Sequence, residues 1–205
     1  MKSLLNGLLF ALLYVTSANA SAQGILVVGD SISAAFGLEI EQGWVHLLRE
    51  RLEERGYDDP VVNASVSGDT TAGGLARLPR LLEEHDPDLV ILELGGNDGL
   101  RALPPANMQQ NLSSMIEHSR EAGADVIVLG MMIPPNYGLR YTRAFSEVFT
   151  NVSEEHDVPL VPFLLEGIGD RPQLMQSDRI HPTAAAQPKI LDNAWPAIET
   201  WLEDR

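Results

Sequence analysis

The sequence predicts an α/β fold of the flavodoxin-like type, a three-layer α/β/α arrangement with a five-stranded parallel sheet. Short apolar runs alternate with longer amphipathic segments along most of the chain. These runs are hydrophobic at nearly every position, which is typical of strands buried on both faces of a parallel sheet. Five such strand–helix units occupy about 180 residues, whereas a barrel needs eight units and roughly 250 residues.

The strands are assigned to hydrophobic runs that end at turn-forming residues. Residues 25–28 (ILVV) end at Gly29, and residues 89–94 (LVILEL), the strongest strand signal, end at two glycines. The other strands are expected at residues 61–64, 125–129 and 158–161.

The helices are assigned to segments whose apolar residues recur at helical spacing. Residues 44–55 show this spacing and stop at Gly56, a residue type common at helix ends. Pro188 and Pro196 predict a kink or a broken start in the last helix. Because no linker or repeat divides the chain, residues 21–205 are expected to form one domain. The other helices are expected at residues 71–84, 107–122, 141–156 and 184–202.

The first residues have the pattern of a secretory signal peptide. Lys2 precedes an apolar run over residues 4–15, and small residues follow in residues 17–22 (SANASA). A basic start, a short hydrophobic stretch and an A-x-A cleavage signal are the three parts of such a peptide. Residues 1–20 are therefore expected to be removed, with cleavage after Ala20 or Ala22. The alternatives are a frayed helix or a retained anchor, although the run is shorter than the about 20 residues that span a bilayer.

Composition limits the partners that the chain can have. The formal net charge is −15 at pH 7 and cysteine is absent, so disulfides and thiol chemistry are excluded. Such an acidic surface should repel nucleic acid and anionic lipid headgroups. We therefore expect no nucleic-acid partner, no stable membrane insertion after signal cleavage, and a monomer.

Polar and glycine-rich segments follow the predicted strands. In an open parallel sheet, ligands bind beyond the carboxyl ends of the strands. Residues 29–33 (GDSIS), 65–70 (SVSGDT) and 95–98 (GGND) follow the first three strands, and residues 178–182 (DRIHP) precede the last helix. Together they supply a hydroxyl, an amide, backbone donors, and a carboxylate three residues before an imidazole.

These groups are the parts of an acyl-transfer site. The Ser31 hydroxyl needs a base to remove its proton, and His181 can serve because an ordinary imidazole has a pKa of about 6.5. Asp178 can hold the second ring nitrogen of His181. The backbone N–H groups of Ser31 and Gly68 and the side-chain amide of Asn97 can form an oxyanion hole.

Each piece also has an ordinary structural explanation. Ser31 or Asp30 could cap a helix, Gly68 and residues 95–98 could be turns, and an Asp-x-x-His pair is more often a solvated loop. Taken singly, each structural explanation is the better one. Their joint position at one edge of the sheet favours the catalytic interpretation.

The four blocks together resemble the SGNH (GDSL-type) hydrolase superfamily, which is named after its Ser, Gly, Asn and His. Ile32 stands where the commonest first block has Leu. Longer stretches resemble the bacterial periplasmic group of thioesterases, lysophospholipases and arylesterases; these are residues 63–70, 74–79, 93–101 and 135–138.

The resemblance implies a serine esterase or thioesterase without metal or organic cofactor. It implies small acyl ester, thioester or lysolipid substrates and a periplasmic location, with the outside medium as the alternative. It also implies that a loop after the fourth strand lines the acyl-binding crevice, whereas Met131 is expected to be core. The loop residues expected there are Pro135, Asn136, Tyr137 and Gly138.

Two other functions stay open at this point. A carbohydrate O-acetylesterase would share the fold and the triad. A non-catalytic flavodoxin-like binding domain is the remote alternative. For a flavin domain, residues 29–34 match a phosphate loop poorly. A phospho-receiver should carry a lysine directly after its last strand, and the single lysine beyond the predicted signal peptide is Lys189, on the final helix.

Overall fold

A computed structural model of the chain describes residues 24–205, so the predicted signal peptide lies outside the described residues. Within this range the structure forms one sheet of five parallel strands in the order β2-β1-β3-β4-β5. This is the order of flavodoxin-like folds, and the predicted fold class is confirmed. The strands are β1 (Ile25–Gly29), β2 (Val61–Asn63), β3 (Leu89–Glu93), β4 (Asp125–Leu129) and β5 (Leu160–Val161).

The central strands β1 and β3 are buried at every position. Their register pairs Ile25 with Leu89 at one end and Gly29 with Glu93 at the other. Because helices cover both faces of the sheet, neither strand has a solvent-facing side that would call for polar residues. This burial explains why the strands appear in the sequence as uninterrupted apolar runs.

Two helical layers enclose the sheet. Helices α1 and α6 pack against each other on one layer, and α2, α4 and α5 form the other, with α4 between its two neighbours. The short α3 lies in the loop after β3. The helices are α1 (Trp44–Arg55), α2 (Thr71–His85), α3 (Gly96–Leu100), α4 (Pro105–Glu121), α5 (Leu139–His156) and α6 (Gln187–Glu203). None of the helices within residues 24–205 is both long and apolar enough to cross a membrane.

The structure refines several predicted boundaries. Residues 184–186 form a 3₁₀ turn before α6, which agrees with the broken start predicted for the last helix. Pro188 lies in the first turn of α6, where its missing N–H removes no intrahelical hydrogen bond. Strand β5 contains only two residues, and α3 replaces part of a predicted loop. Apolar periodicity could not reveal α3, because this single turn has almost no apolar stripe.

Gly130 allows the chain to leave β4 close to the loop that follows β5. Its N–H donates to the carbonyl oxygen of Val161 at 2.7 Å. A Cβ at this position would lie 2.5 Å from the carbonyl oxygen of Pro162. Since that oxygen belongs to the backbone, it cannot move aside as a flexible side chain would.

We expect Gly130→Ala to lower the free energy of unfolding by about 1–3 kcal/mol, the usual cost of overpacking. Gly169→Ala is the matched control, because a Cβ there would meet its nearest atom only at 3.6 Å. Urea unfolding of both variants measures the difference. Equal stability of the two variants would contradict the crowding assigned to Gly130.

Candidate active site

In the structure, hydrogen bonds link three of the residues predicted from the sequence. The Oγ of Ser31 lies 2.9 Å from Nε2 of His181, and Nδ1 of the same ring lies 2.7 Å from Oδ2 of Asp178. Ser31 follows β1, whereas Asp178 and His181 lie far along the chain, between β5 and α6, with His181 150 positions after Ser31. A hydroxyl, an imidazole and a carboxylate thus form one chain of polar contacts.

The loop that carries Asp178 and His181 is fixed by its own hydrogen bonds. Oδ1 of Asp178 accepts the backbone N–H groups of Ile180 at 2.9 Å and His181 at 3.0 Å. Arg179, between Asp178 and Ile180, adopts a φ of +59°, a left-handed conformation that costs energy for a residue with a Cβ. The loop is closed at its base by an antiparallel bridge between Met175 and Pro182.

These contacts also set the charge of Asp178. The hydrogen bond to His181 and the two backbone N–H groups lower the pKa of the Asp178 carboxyl to about 2. A carboxylate that accepts several donors holds its proton weakly. Asp178 is therefore ionised throughout the neutral and mildly acid range.

The Ser31 turn is held by side chains from the centre of the sheet. Oδ1 of Asp30 accepts the N–H of Ile32 at 3.0 Å. Oε2 of Glu93, on β3, accepts the N–H groups of Asp30 and Ser33, both at 3.3 Å, and the Ser33 hydroxyl at 2.7 Å. The turn that carries Ser31 is thus anchored on a carboxyl group of the neighbouring strand.

Asn97 is positioned by the turn that ends β3. Gly95 has a φ of +119°, which favours glycine, and α3 starts directly after it. The side-chain amide of Asn97 donates one hydrogen to Oδ2 of Asp30 at 3.0 Å. An amide group carries two N–H donors, so the second remains for another acceptor beside Ser31.

Two backbone N–H groups of the predicted oxyanion hole also remain available. Those of Ser31 and Gly68 form no hydrogen bond with any residue from 24 to 205. The carbonyl oxygen of Gly68 accepts from Nη2 of Arg101 at 2.8 Å, and the neighbouring Asp69 pairs with Arg77 at 2.8 Å. Gly68 is exposed and lies outside the lining of the cavity described next.

A cavity of about 470 Å³ opens beside Ser31 at the carboxyl ends of the strands. This volume lies within the usual range of small-molecule sites. The polar groups converge at Ser31, Asn97 and His181, and the rest of the wall is mostly apolar. The apolar lining comprises Ile32, Leu100, Met131, Met132, Ile133, Pro134, Pro135, Phe163, Leu165, Met175 and Ile180.

The structure divides the loop that the sequence placed beside the substrate. Pro135 lines the cavity, whereas Asn136, Tyr137 and Gly138 lie outside its described lining. The hydroxyl of Tyr137 donates to the carbonyl oxygen of Leu100 at 2.8 Å, so this side chain ties two loops together. Met131, expected to be core, is buried and also lines the cavity.

Glu93 is a residue of the site to which sequence reasoning gave no role. It is completely buried, and the pKa of its carboxyl is raised well above the ordinary value by burial and by the nearby charge of Asp30. Burial likewise raises the pKa of Asp30 to about 6. The signal was present in the sequence, because Glu93 is the single charged residue in the apolar run of residues 89–94.

Grouped metal ligands are absent from the described part of the chain. No three His, Asp or Glu side chains within residues 24–205 are arranged to hold a metal ion. Four other histidines lie half-buried on α1, α2, α4 and α5; they are His46, His85, His118 and His156.

Comparison with known proteins assigns the family. A model of the GDSL-like Lipase/Acylhydrolase family matches residues 27–187. The chain belongs to this family. The match includes the three loops after β1, β2 and β3 and the loop that carries Asp178 and His181, so the family predicted from four short blocks is confirmed.

Several relatives within this group share most of their length with the chain. Esterase TesA of Pseudomonas aeruginosa is 56% identical over 202 residues, which cover 98% of this chain and all of the relative. Thioesterase 1/protease 1/lysophospholipase L1 of Escherichia coli (strain K12) is 42% identical over 88% of this chain and 86% of its own. The psychrotrophic esterase EstA from Pseudoalteromonas sp., solved with monoethylphosphonate as inhibitor, is 42% identical and has a TM-score of 0.84 over 88% of this chain and 99% of its own.

The buried acid pair leads to a prediction about pH and stability. Because the pKa of Glu93 is raised on folding, the folded state keeps this proton at pH values where the unfolded chain has released it. Stability due to this group is therefore complete at low pH and is lost as pH rises, by up to about 1.4 kcal/mol per pH unit.

Glu93→Gln removes this loss, so the variant should gain stability relative to the unchanged protein between about pH 5 and 7. Urea unfolding at several pH values measures the difference. Glu121→Gln, an exposed change on α4, is the control and should show no such trend. A Glu93→Gln difference that stays constant with pH would contradict the assignment.

Proposed function

We propose that this chain is a serine hydrolase of acyl esters and thioesters that works through an acyl-enzyme intermediate on Ser31. The observation that carries the proposal is the 2.9 Å contact between Oγ of Ser31 and Nε2 of His181, continued to Asp178 at 2.7 Å. Such a sequence of contacts is recognised by its geometry and roles in many unrelated folds. The names of the relatives, esterase and thioesterase, support the same reaction class.

In the first step, Oγ of Ser31 attacks the substrate carbonyl carbon while Nε2 of His181 takes the hydroxyl proton. The tetrahedral intermediate collapses, the bond to the leaving alcohol or thiol breaks, and His181 returns the proton to the leaving oxygen or sulfur. In the second step, water gives a proton to His181 and attacks the acyl carbon. The bond between that carbon and Oγ of Ser31 breaks, His181 returns the proton to Oγ, and the acid leaves. Ser31 and His181 then regain their starting protonation states.

Asp178 keeps the imidazole ready for this exchange. Its carboxylate, with a pKa lowered to about 2, accepts a hydrogen bond from Nδ1 and so leaves Nε2 free to accept the proton of Ser31. When His181 becomes positively charged, the same carboxylate stabilises that charge. The ring of Phe36, 4.4 Å from the imidazole ring, limits its rotation.

We assign the oxyanion of the tetrahedral intermediate to three N–H donors that have no other acceptor among the described residues. These are the N–H groups of Ser31 and Gly68 and the second amide hydrogen of Asn97. The first amide hydrogen of Asn97 is held by Asp30 at 3.0 Å, which fixes the amide plane before substrate binds. Donors that are already oriented need no reorganisation when negative charge develops.

The acyl group is assigned to the apolar part of the cavity. Its wall next to Ser31 includes Met131, Ile133 and Leu165, which suit a hydrocarbon chain better than a sugar. This lining favours acyl esters, thioesters or lysolipids over the acetylated carbohydrates of an O-acetylesterase. Pro135 borders the same space, and Tyr137 contributes by fixing the loop rather than by contact.

The remaining proposals concern location and assembly. The basic start, apolar run and A-x-A sites within residues 1–22 support export, with the periplasm as the destination and cleavage after Ala20 or Ala22. The acidic composition supports an enzyme that acts on small molecules rather than on nucleic acid. We propose that it acts as a monomer, because the site is complete within one chain.

Ser31→Ala should abolish both the hydrolysis of p-nitrophenyl esters and covalent labelling by a fluorophosphonate, because the attacking oxygen is gone. Mass spectrometry of the labelled protein should place the adduct of the unchanged enzyme on Ser31. Ser67→Ala, a change at an exposed serine of another loop, is the control and should keep its label. Labelling that survives Ser31→Ala would place the nucleophile elsewhere.

Asn97→Ala should lower kcat for an acyl ester about 100- to 1,000-fold, the usual effect of losing one oxyanion donor. Steady-state kinetics measures the loss, and KM should change much less, because the donor acts on charge that develops during the reaction. Asn107→Ala, an exposed amide on α4, should leave kcat unchanged. A kcat for Asn97→Ala close to that of the unchanged enzyme would exclude its amide from the oxyanion hole.

A further inference from the structure

The exposed large apolar side chains are confined to one end of the molecule. Each of the seven within residues 24–205 lies between the carboxyl end of a strand and the first residue of the next long helix. They therefore share the end of the sheet at which the cavity opens. The seven residues are Phe36, Ile40, Val66, Leu103, Met132, Leu139 and Ile180.

The opposite end of the molecule has the reverse character. The loops that follow α1, α2, α4 and α5 and lead back into the sheet hold none of the exposed large apolar side chains of the described residues. They are rich in aspartate instead. The aspartates in these loops are Asp58, Asp59, Asp86, Asp88 and Asp157.

Four of the seven apolar side chains lie at the mouth of the cavity or next to residues that line it. Met132 and Ile180, which are 53% and 41% exposed, line it from different loops. Phe36 packs against the ring of His181, with 4.4 Å between the ring centroids and 36° between the ring planes. Leu139 is 84% exposed and lines a shallow groove that shares Met132 with the cavity and so continues it outward.

The charge beside this mouth differs from that of the whole chain. Although the net charge is −15, residues 126–146 contain no Asp or Glu and include Arg140 and Arg143. Arg143 pairs with Glu147 at 2.7 Å. Arg140 is exposed, and its guanidinium forms no hydrogen bond or ion pair with any residue of the described part of the chain. A free guanidinium next to exposed apolar side chains suits a phosphate group above a hydrocarbon layer.

We propose that this end of the molecule is a docking surface for phospholipid aggregates. The docking surface consists of Phe36, Met132, Leu139, Arg140 and Ile180. The apolar side chains enter the boundary of the hydrocarbon region, and Arg140 contacts headgroup phosphates. Exposed apolar patches of this kind mark interaction sites, and the aspartate-rich end stays in water. Docking in this orientation presents the mouth of the cavity to the lipid, so that a lipid molecule reaches Ser31 without crossing bulk water.

The test is binding to phosphatidylcholine vesicles, measured by flotation. The protein is purified as it accumulates in the expressing cell, with its N-terminus read by mass spectrometry. Every sample used for flotation carries Ser31→Ala, so that no lipid is consumed and binding is measured without turnover. Failure of the proposed hydrolase function would therefore leave this measurement intact.

The double variant Leu139→Asp, Arg140→Glu should bind vesicles about tenfold or more weakly, because it loses an apolar contact and reverses a charge at the interface. Neither residue lines the cavity. The same double variant made in protein that keeps Ser31 should therefore hydrolyse soluble p-nitrophenyl butyrate at an unchanged rate. The control Ala122→Asp, Arg80→Glu makes the same change in net charge at exposed positions outside the docking surface, and it should keep full binding.

Three outcomes would overturn the proposal. The first is no flotation of the Ser31→Ala protein, and the second is equal flotation of the double variant. The third is self-association of the unchanged protein, seen by analytical ultracentrifugation and abolished by Leu139→Asp, because the surface would then be an interface between copies of the chain.

Discussion

The parallel pairing of β1 with β3 is the constraint on which the site depends. The register places Gly29 opposite Glu93, so both strands end at the same height and their loops start side by side. Ser31 follows two residues after one end, and Asn97 four residues after the other. Asp30 connects the two loops, because its carboxyl accepts the backbone N–H of Ile32 and the side-chain amide of Asn97. Strand pairing thus brings Ser31 and Asn97, the proposed nucleophile and a proposed oxyanion donor, to the same edge of the sheet.

The buried carboxyl of Glu93 turns this alignment into a rigid support. It accepts three hydrogen bonds from the turn that follows β1. The Ser33 hydroxyl in turn accepts the indole N–H of Trp44 at 3.1 Å. The cost is the burial of one carboxyl group beside a second acid. Burial raises the pKa values of both Glu93 and Asp30. A site of this kind trades some stability for orientation.

The polarity of the whole molecule follows from the same topology. In a parallel sheet every strand delivers its following loop to one end, so apolar lining, catalytic groups and exposed apolar side chains accumulate there. The return loops at the other end contribute no residue to the cavity lining and can hold aspartates. A strongly acidic chain can thus keep an apolar, arginine-bearing surface around one opening. The proposed docking surface is a consequence of this division of the two ends.

The sequence alone determined the fold class, the strand segments and the family, because buried parallel strands produce uninterrupted apolar runs and the four motif blocks are local. It also identified Ser31, His181 and Asp178 as the residues of the proposed mechanism. Tertiary structure decided that Glu93 supports the turn that carries Ser31 and that Tyr137 lies outside the cavity lining. Both depend on side-chain directions across elements distant in the chain, and local periodicity carries no information about those directions.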